Sequence, residues 1–435
     1  MLQLPGRKDR GCMKQLPDRK DRGCMKQLPD MENWGLMNKG KTKIHMKKIA
    51  AGLLTGAMCL TAAPLPAQAD LGALASQFGI GESPYYHLGD TEWDHGGIEE
   101  YYFNNLDSSY NEIYRELYSR LSNREDSADL YAQVGSDEFW TAFRSVLADH
   151  PELFWIDSSV ETTTNGLTNK VTGYTITASV PEEERDQMQA ELEAAADACI
   201  SEIDPDASEY EKIKAVYEYL VNTVDYDAQA QYSQCVQSAL LNHKAVCAGY
   251  AKAFQYILHR MGFFCTTVSG ATSEGGRHAW NLVRIGDQYY HVDVTWGDPV
   301  FAGAQDGGGV TVMNYMYLCC TDAEIYQTHV PDNIIQLPSC SDTSYDYYRM
   351  NGMYYETFDY DTVYNALMNS VYNGQNSVAM KFGSAEAYEQ AISAVTTGKI
   401  YSDAAQYLMQ INGVSTWSTS YSNDDVFHVI TIQWS

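Results

Sequence analysis

Beyond its first 69 residues, this sequence has few basic side chains. Residues 70–435 contain 16 Lys and Arg against 52 Asp and Glu. A surface with such an excess of negative charge repels phosphate backbones and anionic lipid headgroups. The balance therefore argues against nucleic-acid binding and against docking on an anionic membrane, and it favours a soluble protein.

Long apolar runs are also missing, with one exception near the amino terminus. From Met46, two lysines precede a short apolar run, and Ala67-Gln68-Ala69 places small residues at a cleavage position. This order is typical of a secretory signal peptide over residues 46–69. A membrane anchor is the alternative, but the run is short and ends in prolines. We therefore expect cleavage near Ala69, an extracellular product and no integral membrane segment afterwards.

A short repeat precedes this segment. QLPGRKDRGCMK and QLPDRKDRGCMK follow each other with a period of 12, and QLPD starts a third copy. So few copies cannot build a solenoid. We interpret residues 1–45 as translated upstream repeat DNA that has no functional role, with the real start at Met37 or Met46.

Paired cysteine motifs are absent. None of the cysteines beyond the signal peptide stands in a CxxC arrangement, so the sequence predicts no zinc site, no other metal and no cofactor. Their odd number leaves at least one free thiol in a secreted chain. The seven are Cys199, Cys235, Cys247, Cys265, Cys319, Cys320 and Cys340.

Composition and periodicity divide the rest of the chain into four parts. Residues 70–85 resemble a flexible linker. Residues 86–180 contain two helical patterns and then strands, which predicts an α+β module. The chemistry-bearing motifs lie in the central region, residues 181–340. From residue 341 the composition shifts to Tyr, Asn, Ser and Asp, and residues 341–435 are interpreted as a small α+β domain.

The stretch AVCAGYAKAF places a cysteine at the start of a predicted helix. Apolar side chains recur at helical spacing after Cys247, and Gly262 is a favourable residue just beyond the helix end. Exposed amides and the helix dipole stabilise a thiolate at such a position. Gly249 keeps the first turn narrow, so that a substrate backbone can approach the sulfur. Gly249 and Tyr250 are therefore candidate substrate-binding residues.

A second motif, RHAWNLVRIGDQYYHVDVTWGDP, predicts a β-hairpin that turns at residues 286–287. When Ile285 pairs with Gln288, His278 and Asp293 lie on one face of the sheet and within reach of each other. A slip of one residue would place them on opposite faces. The predicted register therefore brings an imidazole and a carboxylate together.

A thiol, an imidazole and a carboxylate are the groups that nucleophilic acyl transfer requires. Cys247 would attack the acyl carbon, His278 would move the proton, and Asp293 would orient the imidazole. His291 shares the same face and is the alternative base. The Cys247 amide is one expected oxyanion donor, whereas the second donor, somewhere in residues 226–246, stays open.

Two tryptophans flank these residues in the sequence. Trp280 and Trp296 are candidate substrate-binding residues that could line a channel, and core packing explains them equally well. The sequence alone does not choose between the two interpretations.

At this point the chain resembles a known family. KIKAVYEYLVNTVDYD, KAVCAGYAKAFQYILHRMGF and the hairpin motif are similar to the transglutaminase-like superfamily, in particular to its secreted bacterial members. The resemblance covers residues 208–299 closely and residues 86–180 loosely. It implies a papain-like α+β core in which a helix bearing the cysteine packs on an antiparallel sheet. It also implies Cys247 as nucleophile, His278 as base and Asp293 as the orienting residue.

The expected function is a thiol-dependent acyl transfer on peptide or glutamine amide bonds, with hydrolysis favoured over transfer to an amine. The expected partner is a protein or peptide substrate, with cell-wall peptide among the candidates. GGRH before the base and a glycine-rich loop at residues 303–309 suggest an open rim that admits water. A cross-linking transglutaminase and a cell-wall or matrix binding protein on the same fold are the alternatives.

Overall fold

The structure is a computed structural model that describes residues 99–298, 312–398, 400, 402–404, 407, 409 and 419–434. The predicted repeat segment, signal peptide and linker lie outside the described residues, and so does the glycine-rich loop at residues 303–309. Among the helices that are described, none is both long enough and apolar enough to span a bilayer.

The first described elements build a three-stranded antiparallel sheet covered by helices. Its strands follow the order β1-β3-β2. β1 lies between the second and third helices, whereas the sequence pattern predicted strands only after the helices. Burial alternates along β1, with Leu130 and Ala132 between exposed neighbours, but the strand has few large apolar side chains to signal this in the sequence. The elements are α1 (Tyr101–Asn105), α2 (Asn111–Ser122), β1 (Ser127–Val134), α3 (Ser136–Asp149), β2 (Ile156–Thr164) and β3 (Val171–Ala178).

The central region packs helices on a five-stranded antiparallel sheet with the order β10-β6-β7-β8-β9. A short two-stranded sheet pairs β4 with β5, and β5 ends two residues before Cys247. The elements are α4 (Arg185–Ser201), α5 (Glu209–Thr223), β4 (Asp225–Tyr226), α6 (Val236–Leu240), β5 (Lys244–Ala245), α7 (Cys247–Arg260), β6 (Cys265–Thr272), β7 (Arg277–Ile285), β8 (Gln288–Val292), α8 (Val294–Gly297), β9 (Leu318–Cys320), α9 (Asp322–Ile325) and β10 (His329–Pro331).

The last elements form a four-stranded sheet, here called the C-terminal sheet, with the order β11-β12-β14-β13 and a hydrophobic core of its own. The elements are α10 (Tyr347–Met350), β11 (Tyr354–Tyr355), α11 (Tyr360–Tyr372), β12 (Ser377–Phe382), α12 (Ala385–Thr396), β13 (Thr419–Asp424) and β14 (Val429–Trp434). Helices packed on antiparallel sheets confirm the predicted α+β class. The domain boundaries drawn from composition stay predictions.

Two local predictions position the site, and the structure confirms both. β7 and β8 form a hairpin in which Ile285 pairs with Gln288, and Gly286 has a positive φ of 58° that suits its turn. α7 begins at Cys247, and Gly262 follows its end with φ of 79°.

Small side chains let α7 lie close to the sheet. Ala248 and Ala251 of the helix form a buried cluster with Ala279 of β7. Asn281 of β7 donates from Nδ2 to the carbonyl oxygen of Ala251 at 3.0 Å. Because methyl groups separate the two elements, the amino end of α7 lies next to the amino end of β7. This contact brings the first residue of the helix toward the first residues of the strand.

Candidate active site

Cys247 is the first residue of a 14-residue helix and is 2% exposed. The chain enters the helix in a fixed direction because the Val246 amide donates to the Ser233 carbonyl at 2.9 Å. A Cβ atom built on Gly249 would lie 2.5 Å from the same carbonyl oxygen and 2.8 Å from Cβ of Ala245. Only glycine fits there. The space beside the first turn is therefore filled by the protein's own chain.

His278 and Asp293 are in direct contact. His278 Nε2 lies 2.6 Å from Asp293 Oδ2, and both side chains are buried. The Cys247 side chain is near enough to His278 to raise the pKa of that imidazole. Since Nε2 is engaged by Asp293, Nδ1 is the ring nitrogen left to face the thiol. The structure thus brings together the three residues that the sequence singled out.

Asp293 is held as a carboxylate. Its Oδ1 accepts hydrogen bonds from the amides of Thr295 (2.9 Å) and Trp296 (3.2 Å), as the N-cap of α8. Burial opposes its ionisation, but the charge of His278 and hydrogen bonds from His278 and His329 outweigh this effect. They hold the pKa of Asp293 well below its ordinary value.

His278 carries a proton in this environment. Burial lowers the pKa of its imidazole, but the charges of Asp293 and Cys247 and their hydrogen bonds raise it more, to about 10. At neutral pH, His278 is therefore an imidazolium between the thiol and the carboxylate. A charged imidazole next to a thiol is an arrangement that nucleophilic catalysis by cysteine uses.

His329 is a site residue that the sequence analysis missed. It starts β10, is 1% exposed, and its Nε2 lies 2.9 Å from Asp293 Oδ2. Its ring centroid lies 5.0 Å from that of His278. The signal in the sequence was faint: YLCCTDAEIYQTH resembles the family only loosely, and a histidine 36 residues after Asp293 has no spacing rule that connects the two.

The predicted substrate-binding residues occupy different environments. Tyr250 is fully buried, and its hydroxyl donates to the Val224 carbonyl at 2.6 Å. Trp280 is fully buried as well, and Gly249 is enclosed by its own chain. Trp296 is only partly buried, and its ring lies 5.9 Å from that of His278. Burial favours a packing role for Tyr250 and Trp280, whereas Trp296 is the best placed of the four to meet a substrate.

His291, the alternative base, has partners other than Asp293. Its Nδ1 accepts a hydrogen bond from Trp280 Nε1 at 3.0 Å, and its Nε2 lies 2.9 Å from Asp322 Oδ1. Burial lowers the pKa of His291 against the opposing effect of Asp322, so the ring is neutral at pH 7. Since Nδ1 accepts, the single proton lies on Nε2. These contacts favour a supporting role behind Trp280.

Two groups of side chains are close enough to ligate a metal. His278, Asp293 and His329 form one, and His291, Asp322 and Cys340 the other; within each group the donor atoms lie within 4.8 Å of one another. A histidine ligates through a nitrogen lone pair. In both groups the hydrogen bonds place protons on the imidazole nitrogens that face the carboxylate, so they use the atoms that a metal would need.

Tyr226 is the candidate for the second oxyanion donor within the predicted segment, residues 226–246. Tyr226 of β4 pairs with Ala245 of β5, two residues before Cys247. Burial raises the pKa of its hydroxyl, and the charge of Cys247 raises it further, which indicates that the two side chains are close. Gln237, in the same segment, instead donates to Ser179 Oγ at 2.9 Å.

An antiparallel sheet covered by a helix that begins with a buried cysteine, opposite a histidine–aspartate pair, is a papain-like arrangement. Residues 197–294 match the family model of the transglutaminase-like superfamily. The chain therefore contains a transglutaminase-like domain over these residues, and that superfamily includes cysteine peptidases and acyltransferases.

Two curated relatives resemble part of the chain. The kyphoscoliosis peptidase of Mus musculus is 26% identical over 142 residues, which are 29% of this chain and 21% of that protein. The kyphoscoliosis peptidase of Homo sapiens is 25% identical over 162 residues, which are 33% of this chain and 24% of that protein. The chain therefore matches less than a quarter of the length of either relative.

Solved structures resemble the chain more weakly. A TGase is 18% identical with a TM-score of 0.24, over 36% of this chain and 48% of that one. A candidate cysteine protease from Cytophaga hutchinsonii is 16% identical with a TM-score of 0.22, over 30% of this chain and 53% of that one. Both similarities concern the fold of a part of the chain.

Proposed function

We propose that this protein is a thiol-dependent acyl-transfer enzyme that acts on peptide or glutamine amide bonds. The proposal is carried by one observation: His278 pairs with Asp293 at 2.6 Å, and Cys247, buried at the start of α7, is near enough to raise the pKa of the same imidazole. Thiol, imidazole and carboxylate in this sequence of contacts are the parts that covalent acyl transfer requires.

In the first half-reaction the Cys247 thiolate attacks the carbonyl carbon of the amide. The C–N bond breaks, a thioester forms, and His278 gives its Nδ1 proton to the leaving amine. Asp293 accepts the hydrogen bond from the Nε2–H of His278 and fixes the ring orientation throughout. The amide of Cys247 and the hydroxyl of Tyr226 are the candidate donors to the oxyanion.

In the second half-reaction a water molecule attacks the thioester, and His278, now neutral, accepts its proton. The acid leaves and the thiolate–imidazolium pair is restored. Transfer to a lysine amine instead would require a site that excludes water. We favour hydrolysis because glycines just before the base and at residues 303–309 suggest an open rim, although the latter lie outside the described residues.

A first test compares the wild type with Cys247→Ala on candidate peptides in the presence of a labelled primary amine. The variant is expected to lose activity by a factor of about 10⁴ or more while it stays folded. Cys199→Ala is the matched control, because that thiol is equally buried but lies on α4. Retained turnover in Cys247→Ala would refute the nucleophile.

The same experiment separates the two acyl acceptors. Hydrolysis is expected to exceed amine incorporation at modest amine concentration. The reverse result would favour the cross-linking transglutaminase. A binding protein on this fold would give neither product, and ligand capture would be unchanged in Cys247→Ala.

Export belongs to the same proposal. The signal peptide predicted over residues 46–69 would deliver the enzyme to the extracellular side, where protein or cell-wall peptide would be its substrate. Mass spectrometry of the native secreted form is expected to find an amino terminus near Asp70. Peptides from residues 1–36 in that form would refute the interpretation of the repeat segment.

A further inference from the structure

Two imidazoles share one oxygen of the carboxylate at the centre of the site. His278 Nε2 lies 2.6 Å and His329 Nε2 lies 2.9 Å from Asp293 Oδ2. The two rings belong to different strands, because His278 lies in β7 and His329 in β10. β6, which pairs with both strands, holds them in register, with Gly270 opposite His278 and Thr272 opposite His329.

The proton on His329 can be assigned from its partners. Burial lowers the pKa of His329 more than Asp293 raises it, so the ring is neutral at pH 7 and has one N–H. A carboxylate only accepts hydrogen bonds, so that proton lies on Nε2. Nδ1 must then accept, and Thr328 Oγ1 lies 2.8 Å away. The one hydroxyl proton of Thr328 also has the Ile325 carbonyl as an acceptor at 3.2 Å, so Asp293 sets the tautomer and Thr328 supports it.

Asp293 is consequently held on every side. A carboxylate offers about four lone-pair positions. On this residue Thr295 and Trp296 occupy two through Oδ1, and His278 and His329 occupy two through Oδ2. The group cannot rotate without breaking several buried hydrogen bonds. Oδ2 of Asp293, which orients His278, is therefore held in place by His329 as well.

Aromatic rings enclose His329 and keep it in place. Its centroid lies 5.0 Å from Trp280, 4.8 Å from Trp296 and 5.7 Å from Tyr317. The titratable groups that face it are Asp293, His278, His291 and Tyr317. Because the surroundings are apolar and His278 already carries a positive charge, a second imidazolium would be costly there.

We propose that His329 is a positioning residue of this catalytic centre: a neutral imidazole, supported by Thr328, that donates to Asp293 and so holds the carboxylate where it orients His278. This inference rests on the proposed roles of Cys247, His278 and Asp293. It predicts that loss of the donor at residue 329 weakens the Asp293–His278 contact and lowers the population of the thiolate–imidazolium pair.

The test measures alkylation of Cys247 by iodoacetamide as a function of pH, followed by mass spectrometry of the Cys247 peptide, so that no substrate is needed. His329→Met removes the donor and keeps the size of the side chain. His329→Gln keeps an N–H near the position of Nε2. His259→Gln is the matched control, because that histidine lies late in α7 and binds the Cys265 carbonyl instead.

In the wild type, Cys247 is expected to react at pH 7 much faster than an ordinary thiol. In His329→Met the rate at pH 7 is expected to fall by a factor of about ten, as is usual when a partner of a site residue is lost. The difference should shrink above pH 9, where an ordinary thiol is ionised. His329→Gln should recover most of the rate, and His259→Gln should match the wild type.

Each other outcome identifies what is wrong. If wild-type Cys247 reacts at pH 7 like a free thiol, the proposed function fails. If the wild type is activated but His329→Met has the same profile, only the positioning role is overturned. An equal loss at all pH values would mean altered access and would also overturn it. Should His329→Met not fold, Thr328→Val, which removes the hydroxyl donor, must reproduce the loss at pH 7.

Discussion

At the scale of single residues, charges of alternating sign organise the site. Asp293 is negative, His278 is positive, and the sulfur of Cys247 lies on the other side of the ring. Removing one partner of a buried ion pair leaves an uncompensated charge, which commonly costs 3–5 kcal/mol, so about that order is expected here. The three groups therefore depend on one another for stability as well as for chemistry.

Substitutions at His278 and His291 should distinguish the catalytic base from a residue that only supports the site. His278→Ala is expected to abolish activity, because its imidazole lies between Cys247 and Asp293 and moves the proton in both half-reactions. His291→Ala should reduce activity by at most about tenfold, since it acts through Trp280. Rates of amide cleavage by the two variants would decide. A greater loss in His291→Ala would mean that the base has been misassigned.

At the scale of elements, the position of Cys247 depends on how the first turn of α7 meets the preceding segment. Gly249 lies against the Ser233 carbonyl and the Ala245 side chain, and the Val246 amide binds the same carbonyl. This close approach fixes the direction in which the helix leaves the segment. It therefore fixes the place of the thiol relative to β7.

Gly249→Ala should disturb this contact. The added methyl group would lie 2.5 Å from a backbone oxygen, which cannot move as a flexible side chain can. We expect a loss of about 1–3 kcal/mol in the free energy of unfolding and a further loss of activity as Cys247 shifts. Denaturant unfolding measures the first effect.

The matched control for this substitution is Gly166→Ala, where a Cβ atom would meet nothing within 4 Å. It should leave both stability and activity unchanged. A Gly249→Ala protein as stable and as active as the control would show that the first turn tolerates an outward shift.

At the scale of the whole molecule, a buried cluster of charges attaches the C-terminal sheet to the central region. Lys381 of β12 is 5% exposed, pairs with Glu324 of α9, and lies 2.6 Å from Asp346 Oδ2. Phe427 packs edge-on against Tyr317 at 4.7 Å. Tyr317 also contacts His329. The C-terminal sheet therefore packs against a residue that supports the candidate active site.

Lys381→Met should loosen this attachment. The substitution leaves two largely buried carboxylates without their cation, so we expect a loss of about 3–5 kcal/mol in the free energy of unfolding. Lys170→Met, at an exposed position, is the control and should have little effect. Equal stability of the two variants would mean that the ion pairs contribute nothing to the attachment.

The same cluster gives a pH dependence. Burial raises the pKa of Glu324, but the charge of Lys381 and its hydrogen bonds lower it more, so the folded value lies below the unfolded one. Its contribution is present above the unfolded pKa of about 4.3 and is lost as the pH falls through the folded value. Wild-type stability should therefore decrease below about pH 4.5, and Lys381→Met should show a smaller decrease. If the wild type and Lys381→Met lost stability equally with falling pH, the Glu324–Lys381 pair would not be the cause of the acid dependence.

The sequence by itself determined the local geometry of the site. Helical spacing set the start of α7 at Cys247, and the turn at Gly286 set the register that places His278 and Asp293 on one face. Both signals are short-range: one comes from a 3.6-residue period and the other from a two-residue turn. Such features survive in a linear pattern because the residues that cause them are neighbours along the chain.

Only the tertiary structure decided the rest. It placed His329 on Asp293 through an edge strand far along the chain, enclosed Gly249 with residues 233–245, and buried Trp280 and Tyr250. Each of these depends on contacts between segments whose separation follows no period. A pattern along the chain can predict that a side chain is apolar or titratable, but the fold alone chooses its partner.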